Sequence, residues 1–319
     1  MNIAPLLRRF QALCSPELPE FVARRSGSPG PHLTLCCLTH GDETGSLPAA
    51  IELLESLDGG RPLVGSLTVI LGNPRAAQAG VRFTEADLNR VFLPGPDSYE
   101  RRRAAALMPL LAQADVVVDI HQTIGPTAHP FHIHPWSPRL ELWARILQGA
   151  EHWVTRPLGE SFASGTCCLD EYVRNQHIPA LTIELGQQGI DARTTTLAAA
   201  VMERALAATA AMAQGQDLEA LTHSAPPVQH WRTVHKEPYA SPALRLRPGL
   251  RNFERVQAGE LLSAPDSPEL RAPCAGALLF PKYPPRDAQG APTGPLPVDI
   301  FHLLTPMEQH PATLGWPAL

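Results

Sequence analysis

The sequence lacks the cysteine spacing of a zinc ribbon or of a thiol–disulfide enzyme. No two of its six cysteines stand in a C-x-x-C motif, and two pairs are adjacent, where a mutual disulfide would be strained. The six are Cys14, Cys36, Cys37, Cys167, Cys168 and Cys274. We therefore expect reduced thiols packed in strands, which is typical of a reducing compartment.

Long apolar runs and an excess of positive charge are also missing. No run approaches the roughly 18 to 20 apolar residues that a membrane-spanning helix needs, and the N-terminal segment MNIAPLLRRFQAL has no signal-peptide core. The 26 basic and 31 acidic residues give a formal net charge of −5, which offers no sign of a nucleic-acid partner. The sequence predicts a cytoplasmic protein that binds neither nucleic acid nor membrane, and it leaves a homo-oligomer open.

What the chain does contain is an alternation of apolar strands and amphipathic helices through its first two thirds. With 319 residues, 44% of them hydrophobic, it can bury a substantial core. Strands are predicted at residues 32–40, 66–74, 115–123, 131–135 and 179–186, and helices at residues 46–57, 98–112, 139–150 and 191–214. This order predicts an α/β sheet covered by helices on both faces.

The composition changes near residue 225. From there the chain is rich in proline and glycine, with short strand-like runs separated by turn signals and little helical pattern. We expect two domains, with the chemistry in residues 1–225 and a small all-β domain in residues 226–319.

Polar residues follow three of the predicted strands. His40 and Glu43 come after the first, His121 ends the strand DVVVDIHQT, and Glu184 ends PALTIE. Ligands of open α/β sheets bind beyond the carboxyl ends of the strands, so these side chains are expected to converge. Two histidines and a carboxylate are a common catalytic zinc set, and zinc lowers the pKa of a bound water from 15.7 to about 7. Asp119, on the same side of its strand as His121, is a candidate to orient a ligand.

Each of these residues has an ordinary structural interpretation when taken alone. A single histidine at a strand end is more often a loop or core residue than a ligand, and Glu43 suits a helix N-terminus. An H-x-x-E match by itself is frequent by chance. The accompanying segments are what favour a metal site.

Those segments are Asn73-Pro74-Arg75-Ala76 and Asp87-Leu88-Asn89-Arg90-Val91-Phe92. Together with Gly41-Asp42-Glu43, Asp119-Ile120-His121 and Ile183-Glu184-Leu185-Gly186, the sequence resembles the succinylglutamate desuccinylase and aspartoacylase family over about residues 30–285. The resemblance implies a zinc-carboxypeptidase-like mixed sheet flanked by helices. It also implies a zinc-dependent catalytic domain and a smaller C-terminal all-β domain covering the active site. The overall length looks closest to the succinylglutamate desuccinylase branch.

The same resemblance implies a role for each matching residue. His40, Glu43 and His121 would bind one zinc ion per chain, and Glu184 would activate water and protonate the leaving amine. Arg75 would stabilise the oxyanion. The remaining residues, implied to bind the substrate, are Asn89, Arg90, Arg174 and, from the β domain, Tyr283, with Tyr239 as its alternative. Structural interpretations stay open: a surface salt bridge for Arg75 or Arg174, and a helix-start cap for Asn89 and Arg90.

The segment after the second histidine, QTIGPTAHPFHIHPW, departs from the family pattern, so substrate selection could differ there. His129, His132 and His134 suggest a second metal at first sight. Because His132 and His134 alternate along a predicted strand, ordinary pocket or core histidines are favoured instead.

These residues together predict a hydrolase that acts on a linear amide. We expect it to remove a short acyl group, such as succinyl, from a small N-acyl amino acid. Two alternatives remain: a metallocarboxypeptidase-like peptide amidase, and a catalytically silent binding protein of the same fold. The sequence does not specify the acyl group or the amino acid.

Overall fold

A computed structural model describes residues 3–294 and 296–317 of the chain. Its helices are α1 (Ala4–Ala12), α2 (Leu47–Asp58), α3 (Pro74–Ala79), α4 (Tyr99–Leu111), α5 (Pro138–Leu147), α6 (Leu169–Arg174) and α7 (Ala192–Ala213). Short 3-10 helices occur at Thr44–Ser46, Leu88–Arg90, Leu218–Thr222 and Pro311–Leu314.

The strands of the described residues form one mixed sheet. They are β1 (Val22–Ser26), β2 (Ser28–Cys37), β3 (Val64–Leu71), β4 (Val116–Thr123), β5 (Phe131–Ile133), β6 (His152–Val154), β7 (Ala180–Gln187), β8 (Gln229–Pro238), β9 (Arg255–Val256), β10 (Gly276–Leu279) and β11 (Asp299–Pro306). Their order is β1-β3-β2-β4-β7-β5-β6-β8-β11-β10-β9. The neighbours β3, β2, β4 and β7 run parallel. The predicted α/β class with a mixed sheet flanked by helices is confirmed.

The central strands form where the sequence supplies unbroken apolar runs. In β4 every residue is buried, as expected for a parallel strand covered on both faces. Three of the longer helices, α4, α5 and α7, begin at conventional caps: Ser98 accepts from the N–H of Arg101, Ser137 from that of Leu140, and Asp191 from that of Thr194. These local signals explain why the principal predicted elements match the observed ones within a few residues.

The sheet continues without a break into the C-terminal region. β8 pairs in parallel with β6, with His230 opposite Trp153. An apolar cluster next to this junction joins Phe131 and Val154 to Trp231 and Leu279. The division into two domains near residue 225 remains a prediction, and both regions share this one sheet.

Two expectations need correction. The described cysteines are all free, but only Cys36 and Cys37 lie in a strand, whereas Cys167 and Cys168 precede α6. In addition, α7 is long and apolar enough to cross a membrane by length and composition alone, which the sequence analysis did not anticipate. It packs along β2, α2 and α5 with one face buried, and a buried core helix passes the same test.

Candidate active site

Three parallel strands bring the polar residues of their carboxyl ends together. β4 lies between β2 and β7, and His121 of β4 stands directly opposite Glu184 of β7. His40 follows β2 by three residues, and Glu43 immediately precedes the 3-10 helix Thr44–Ser46. The convergence expected from the ends of parallel strands is what the structure shows.

His40, Glu43 and His121 form a compact buried group, which we call the first cluster. One ligand atom of each lies within 4.8 Å of the others, and each residue is at most 3% exposed. His40 Nδ1 lies 2.7 Å from Glu43 Oε1, and His121 Nδ1 lies 2.8 Å from Glu43 Oε2. Both histidines therefore turn the same ring nitrogen toward one carboxylate.

The opposite nitrogen of each ring is held by another carboxylate. His40 Nε2 lies 3.0 Å from Asp87 Oδ1, and His121 Nε2 lies 2.9 Å from Asp119 Oδ2. Asp119 is itself fixed by the Thr39 hydroxyl, which donates to Oδ1 at 2.8 Å. Such partners fix the ring orientation, and with a metal bound they would hold the proton on Nε2 and leave the Nδ1 lone pair for the ion.

The Nδ1 atoms of His40 and His121 converge on the carboxylate of Glu43, and this group needs a positive charge, from protons or from a metal ion. When no metal is bound, burial disfavours the charged form of His121, but the charges of Asp119 and Glu43 outweigh the effect of burial. The pKa of His121 therefore rises well above its ordinary value. Burial likewise opposes ionisation of Glu43, and the two histidines outweigh it, so its pKa falls well below the usual range. Two imidazole nitrogens and a carboxylate are equally the donor set of a catalytic zinc site, and their buried convergence fits that ion.

Glu184 is a buried acid beside the first cluster. It is 8% exposed, and its Oε2 is buried without a hydrogen-bond partner among the described residues. Burial, followed by the charge of Glu43, raises the pKa of Glu184 to about 7 in the metal-free protein. This carboxyl group is therefore unusual in having a free oxygen available for proton transfer next to the candidate metal ligands.

The sequence analysis missed Arg82 and Gln122. Arg82 donates to Glu43 Oε1 at 2.9 Å and contacts Asp87 Oδ2 at 3.5 Å, so it ties the loop before the 3-10 helix Leu88–Arg90 to the first cluster. Gln122 accepts from the N–H of Gly45 at 2.6 Å and donates to the carbonyl of Gln187 at 2.7 Å, which joins the loops after β2 and β7. Arg82 lies between two of the family motifs and Gln122 directly follows another, but the contacts of Arg82 with Glu43 and of Gln122 with Gly45 cross sequence distances that no local pattern encodes.

Arg75 and Asn89 have contacts outside the first cluster. Arg75, with its side chain 54% exposed, pairs with Glu85 at 3.2 Å and lies over the ring of Tyr99. The Asn89 side chain accepts from the N–H of Leu169 at 2.8 Å, at the start of α6. The interpretation of Asn89 as a helix-start cap thus has direct support, although the capped helix is α6.

Arg174 and Tyr283 are also not placed at the first cluster. Arg174 is 6% exposed, and its Nη1 donates to Asp170 at 2.5 Å and to the carbonyl of Ala180 at 3.1 Å, near the beginning of β7. Tyr283 donates to the carbonyl of Arg247 at 2.9 Å and accepts from the N–H of Leu250. The structure shows neither side chain facing Glu184, so their substrate roles remain predictions.

Arg90 instead lies near three other cations, Arg156, Lys236 and Lys282. The guanidinium of Arg90 lies 5.0 Å from the ring centre of Phe162, and Arg156 and Lys236 lie at 5.7 and 5.9 Å from the same ring. Lys282 has a pKa lowered by burial, with Asp299 opposing and the charges of Arg82, Arg90 and Lys236 adding to that decrease. The contribution from the C-terminal region is thus a lysine, adjacent in sequence to the predicted Tyr283.

Two of these cations, Arg156 and Lys236, line a cavity of about 480 Å³ between β5, β6, β8 and the loop that carries Phe162. The position of Ile133 relates the cavity to Glu184. Phe131 pairs with Glu184 across β5 and β7, so their side chains share one face, and Ile133, two residues along β5, shares that face and lines the cavity. Ile133 therefore lies about 7 Å along β5 from the pair formed by Phe131 and Glu184, toward the amino end of β7 because the two strands are antiparallel.

The three histidines after β4 do not form a metal group with one another. His132 and His134 are fully buried, and the ring of His134 lies 4.5 Å from that of Trp153. Burial lowers the pKa of His132 to about 4. The ring of His129 lies 4.5 Å from that of His152. Among the described residues, the groups with metal-ligand geometry are the first cluster and one formed by Glu141, His230 and His310.

Comparison with known proteins places this fold and site in a family. Residues 29–213 match the model of the succinylglutamate desuccinylase/aspartoacylase catalytic domain. The chain belongs to this family, whose names are those of hydrolases that remove acyl groups. The predicted resemblance is thereby confirmed.

Two curated relatives match shorter stretches. The chain is 34% identical to a succinylglutamate desuccinylase of Serratia proteamaculans over 113 residues, which are 31% of this chain and 35% of the relative. It is 42% identical to a probable aspartoacylase of a Nostoc species over 74 residues, 20% of this chain and 25% of that protein. The first alignment thus spans about a third of the relative's length.

The fold extends further than these alignments. A succinylglutamate desuccinylase structure from Vibrio parahaemolyticus superposes with a TM-score of 0.66 at 18% identity, covering 90% of this chain and 86% of that one. The ectoine utilization protein EutE from Ruegeria pomeroyi superposes with a TM-score of 0.62 at 21% identity, covering 88% of each chain. At these identities the superpositions establish the common fold.

Proposed function

We propose that this chain is a zinc-dependent amidohydrolase that removes a short acyl group, succinyl or similar, from an N-acyl amino acid. The observation that carries the proposal is the buried first cluster beside Glu184, at the carboxyl ends of adjacent parallel strands. His40 and His121 through Nδ1, together with Glu43, would hold the zinc. A zinc ion there would supply Lewis acidity toward a carbonyl oxygen and toward water.

Glu184 is the group proposed to move the proton. Its Oε2 is buried and unpartnered, so it is available to take a proton from the attacking water and to deliver it to the departing amine nitrogen. The side chain stands next to His121 across β4 and β7, which keeps the acid close to the site where the amide carbonyl would be polarised. The neighbouring apolar residues limit the access of bulk water.

Arg75 is proposed to stabilise the oxyanion of the tetrahedral intermediate. It lies at the start of α3, which follows β3 on the same edge of the sheet as the first cluster. In the structure it pairs with Glu85 in an exposed ion pair, and such pairs contribute only about 0–1 kcal/mol. Moving the guanidinium from Glu85 to a developing negative charge therefore costs little.

The substrate is proposed to carry a carboxylate beyond the scissile amide. Arg90, Arg156 and Lys236 lie around the ring of Phe162, and Arg156, Lys236 and Phe162 line the adjacent cavity. A cavity of about 480 Å³ accommodates an acyl group and a small amino acid. Arginine offers the planar pair of donors that a carboxylate matches.

The test is a zinc assay combined with amine release from N-succinyl, N-acetyl and N-formyl amino acids. We expect zinc-dependent turnover that a chelator abolishes, with N-succinyl substrates preferred because of the extra carboxylate. Glu184→Gln is expected to reduce kcat by about 100- to 10,000-fold while zinc remains bound. Loss of zinc in this variant would contradict the role of Glu184.

Other outcomes distinguish the alternatives. Hydrolysis of peptides longer than two residues would favour a peptide amidase. Absence of zinc, together with no turnover of the whole panel when zinc is added, would favour a silent binding protein.

A further inference from the structure

A second group of two histidines and a glutamate lies away from the first cluster. Glu141 is on α5, His230 is on β8, and His310 precedes the 3-10 helix Pro311–Leu314. One ligand atom of each lies within 4.8 Å of the others. We call these three residues the second cluster, and the acyl-transfer chemistry proposed above makes no use of it.

Neighbouring groups hold two of the three side chains in place. Trp136 Nε1 donates to Glu141 Oε2 at 2.7 Å, which leaves Oε1 facing His310 Nε2 at 2.9 Å. The backbone of His230 is fixed on both sides, by its pairing opposite Trp153 and by the N–H of Met307, which donates to its carbonyl at 2.9 Å. The Glu141 carboxylate and the backbone of His230 are therefore positioned by packed elements.

His230 supplies the observation that points to a ligand. It is only 5% exposed, and its Nε2 is buried without a hydrogen-bond partner among the described residues. Its ring lies 4.9 Å from that of His310 and 5.3 Å from that of Trp153. A buried polar nitrogen is normally paired, so an unpaired one on a histidine grouped with two other potential metal ligands needs an explanation.

We propose that the second cluster binds a divalent transition-metal ion, most suitably zinc, through Glu141 Oε1, His230 Nε2 and His310 Nε2. Two imidazoles and one carboxylate match the ligand preference of zinc, and a three-residue set leaves a position for water. His310 has a side chain 43% exposed, which provides an entry path and access for that water.

Binding requires a change of tautomer at His310. Its Nδ1 accepts from the N–H of Ala312 at 3.2 Å, so the proton of the neutral ring is on Nε2, facing Glu141. On metal binding, Nε2 releases its proton and Nδ1 takes one up, so the ring remains neutral. The hydrogen bond from Ala312 is at the long end of the usual range and is given up.

A metal ion bound at the second cluster would link separate parts of the chain. The ion would fasten residues 307–314, which follow the last strand, to α5 and to β8. No unpartnered acid comparable to Glu184 lies in the second cluster, whose one carboxylate is held by Trp136 and His310. We therefore assign it to stabilising this end of the sheet.

The experiment compares zinc content and Tm of the full chain with His310→Ala, after dialysis against low micromolar free zinc. The wild type is expected to hold two zinc ions per chain and His310→Ala one, with hydrolysis unchanged within about twofold because His310 lies outside the proposed catalytic site. Adding zinc to the zinc-free wild type should raise Tm in two steps, of which His310→Ala lacks one. The control is His223→Ala, which removes another exposed histidine and should retain two ions.

Two further variants keep the result decisive. Glu141→Gln keeps the hydrogen bond from Trp136 and should also lose one zinc ion. In His121→Ala, where the first cluster is disabled, one zinc ion per chain should remain and should bind cobalt with the absorption of a tetrahedral site. One zinc ion in both the wild type and His310→Ala, or an unchanged second ion in Glu141→Gln, would overturn the proposal.

Discussion

The two His–Glu–His clusters contain the same donor groups but differ in what surrounds them. In the first cluster every ligand is at most 3% exposed, whereas the His310 side chain of the second is 43% exposed. Each histidine of the first cluster is fixed by a further carboxylate, Asp87 or Asp119. In the second, the far side of His310 meets only a backbone N–H. The same donor types thus form a rigid interior group in one case and a group at the protein surface in the other.

The neighbouring acid is the more important difference for function. Glu184, with an unpartnered oxygen, stands beside His121. Ile133, which lines a cavity together with Arg156 and Lys236, lies about 7 Å along β5 from the residue paired with Glu184. The one carboxylate of the second cluster, Glu141, is instead hydrogen-bonded to Trp136 and His310. Donor type alone therefore defines where a metal could bind, and the groups around it define whether the site can carry out proton transfer on a substrate.

The largest expected effect is a loss of activity that occurs when the first cluster is disrupted and does not occur when the second is disrupted. His121→Ala removes a proposed ligand of the first zinc, which would contribute several kcal/mol to transition-state stabilisation, so activity should fall at least about 1,000-fold. His310→Ala is the matched substitution in the second cluster and should leave kcat/KM within about twofold. Steady-state kinetics with zinc analysis test this, and comparable losses in both variants would remove the distinction.

The second largest effect is expected for Arg75, which the structure places outside the first cluster. It should show how far catalysis at the first cluster depends on this arginine. Arg75→Ala is expected to lower kcat by about 100- to 1,000-fold, as removal of an oxyanion donor does. Glu85→Gln, which breaks the same exposed ion pair without removing the arginine, should leave kcat nearly unchanged. A kcat for Arg75→Ala within threefold of the wild type would leave Arg75 as a surface residue.

The smallest effect concerns stability of the metal-free protein. Burial raises the pKa of Glu184 from 4.5 to about 7, so the native state retains a proton that the unfolded chain loses at lower pH. This contribution is full below about pH 4.5 and is lost as the pH rises through about 7. Relative to Glu184→Gln, zinc-free wild type should therefore lose at most about 3 kcal/mol of unfolding free energy between about pH 5 and pH 8.

Denaturant unfolding at the two pH values measures this difference. The substitution removes the titrating group, so the pH dependence of the variant serves as the baseline. Parallel behaviour of wild type and variant would show that Glu184 is not protonated in the native state near neutral pH.

The first cluster could be predicted because its information is local. The apolar runs identify β2, β4 and β7, and the carboxyl ends of adjacent parallel strands lie at the same edge of a sheet. His40, Glu43, His121 and Glu184 therefore converge without any knowledge of loop geometry. The family motifs then separated this convergence from a chance H-x-x-E match.

The substrate side could not be predicted to the same extent. Long side chains such as Arg75 and Arg174 find partners according to packing, and here those partners are Glu85 and Asp170. The β-domain residue near the other cations is Lys282, adjacent to the predicted Tyr283. The second cluster joins α5, β8 and the chain after β11, and no spacing in the sequence relates those three elements.

The parallel pairing of β6 with β8 also has a consequence for biosynthesis. β6 is only three residues long, and one edge of it is satisfied solely by residues 229–231, which leave the ribosome after the whole first region. Until then the nascent chain presents an unpaired strand edge next to Trp153, the kind of edge that templates misassembly. Translation of the C-terminal region therefore completes the pairing of β6.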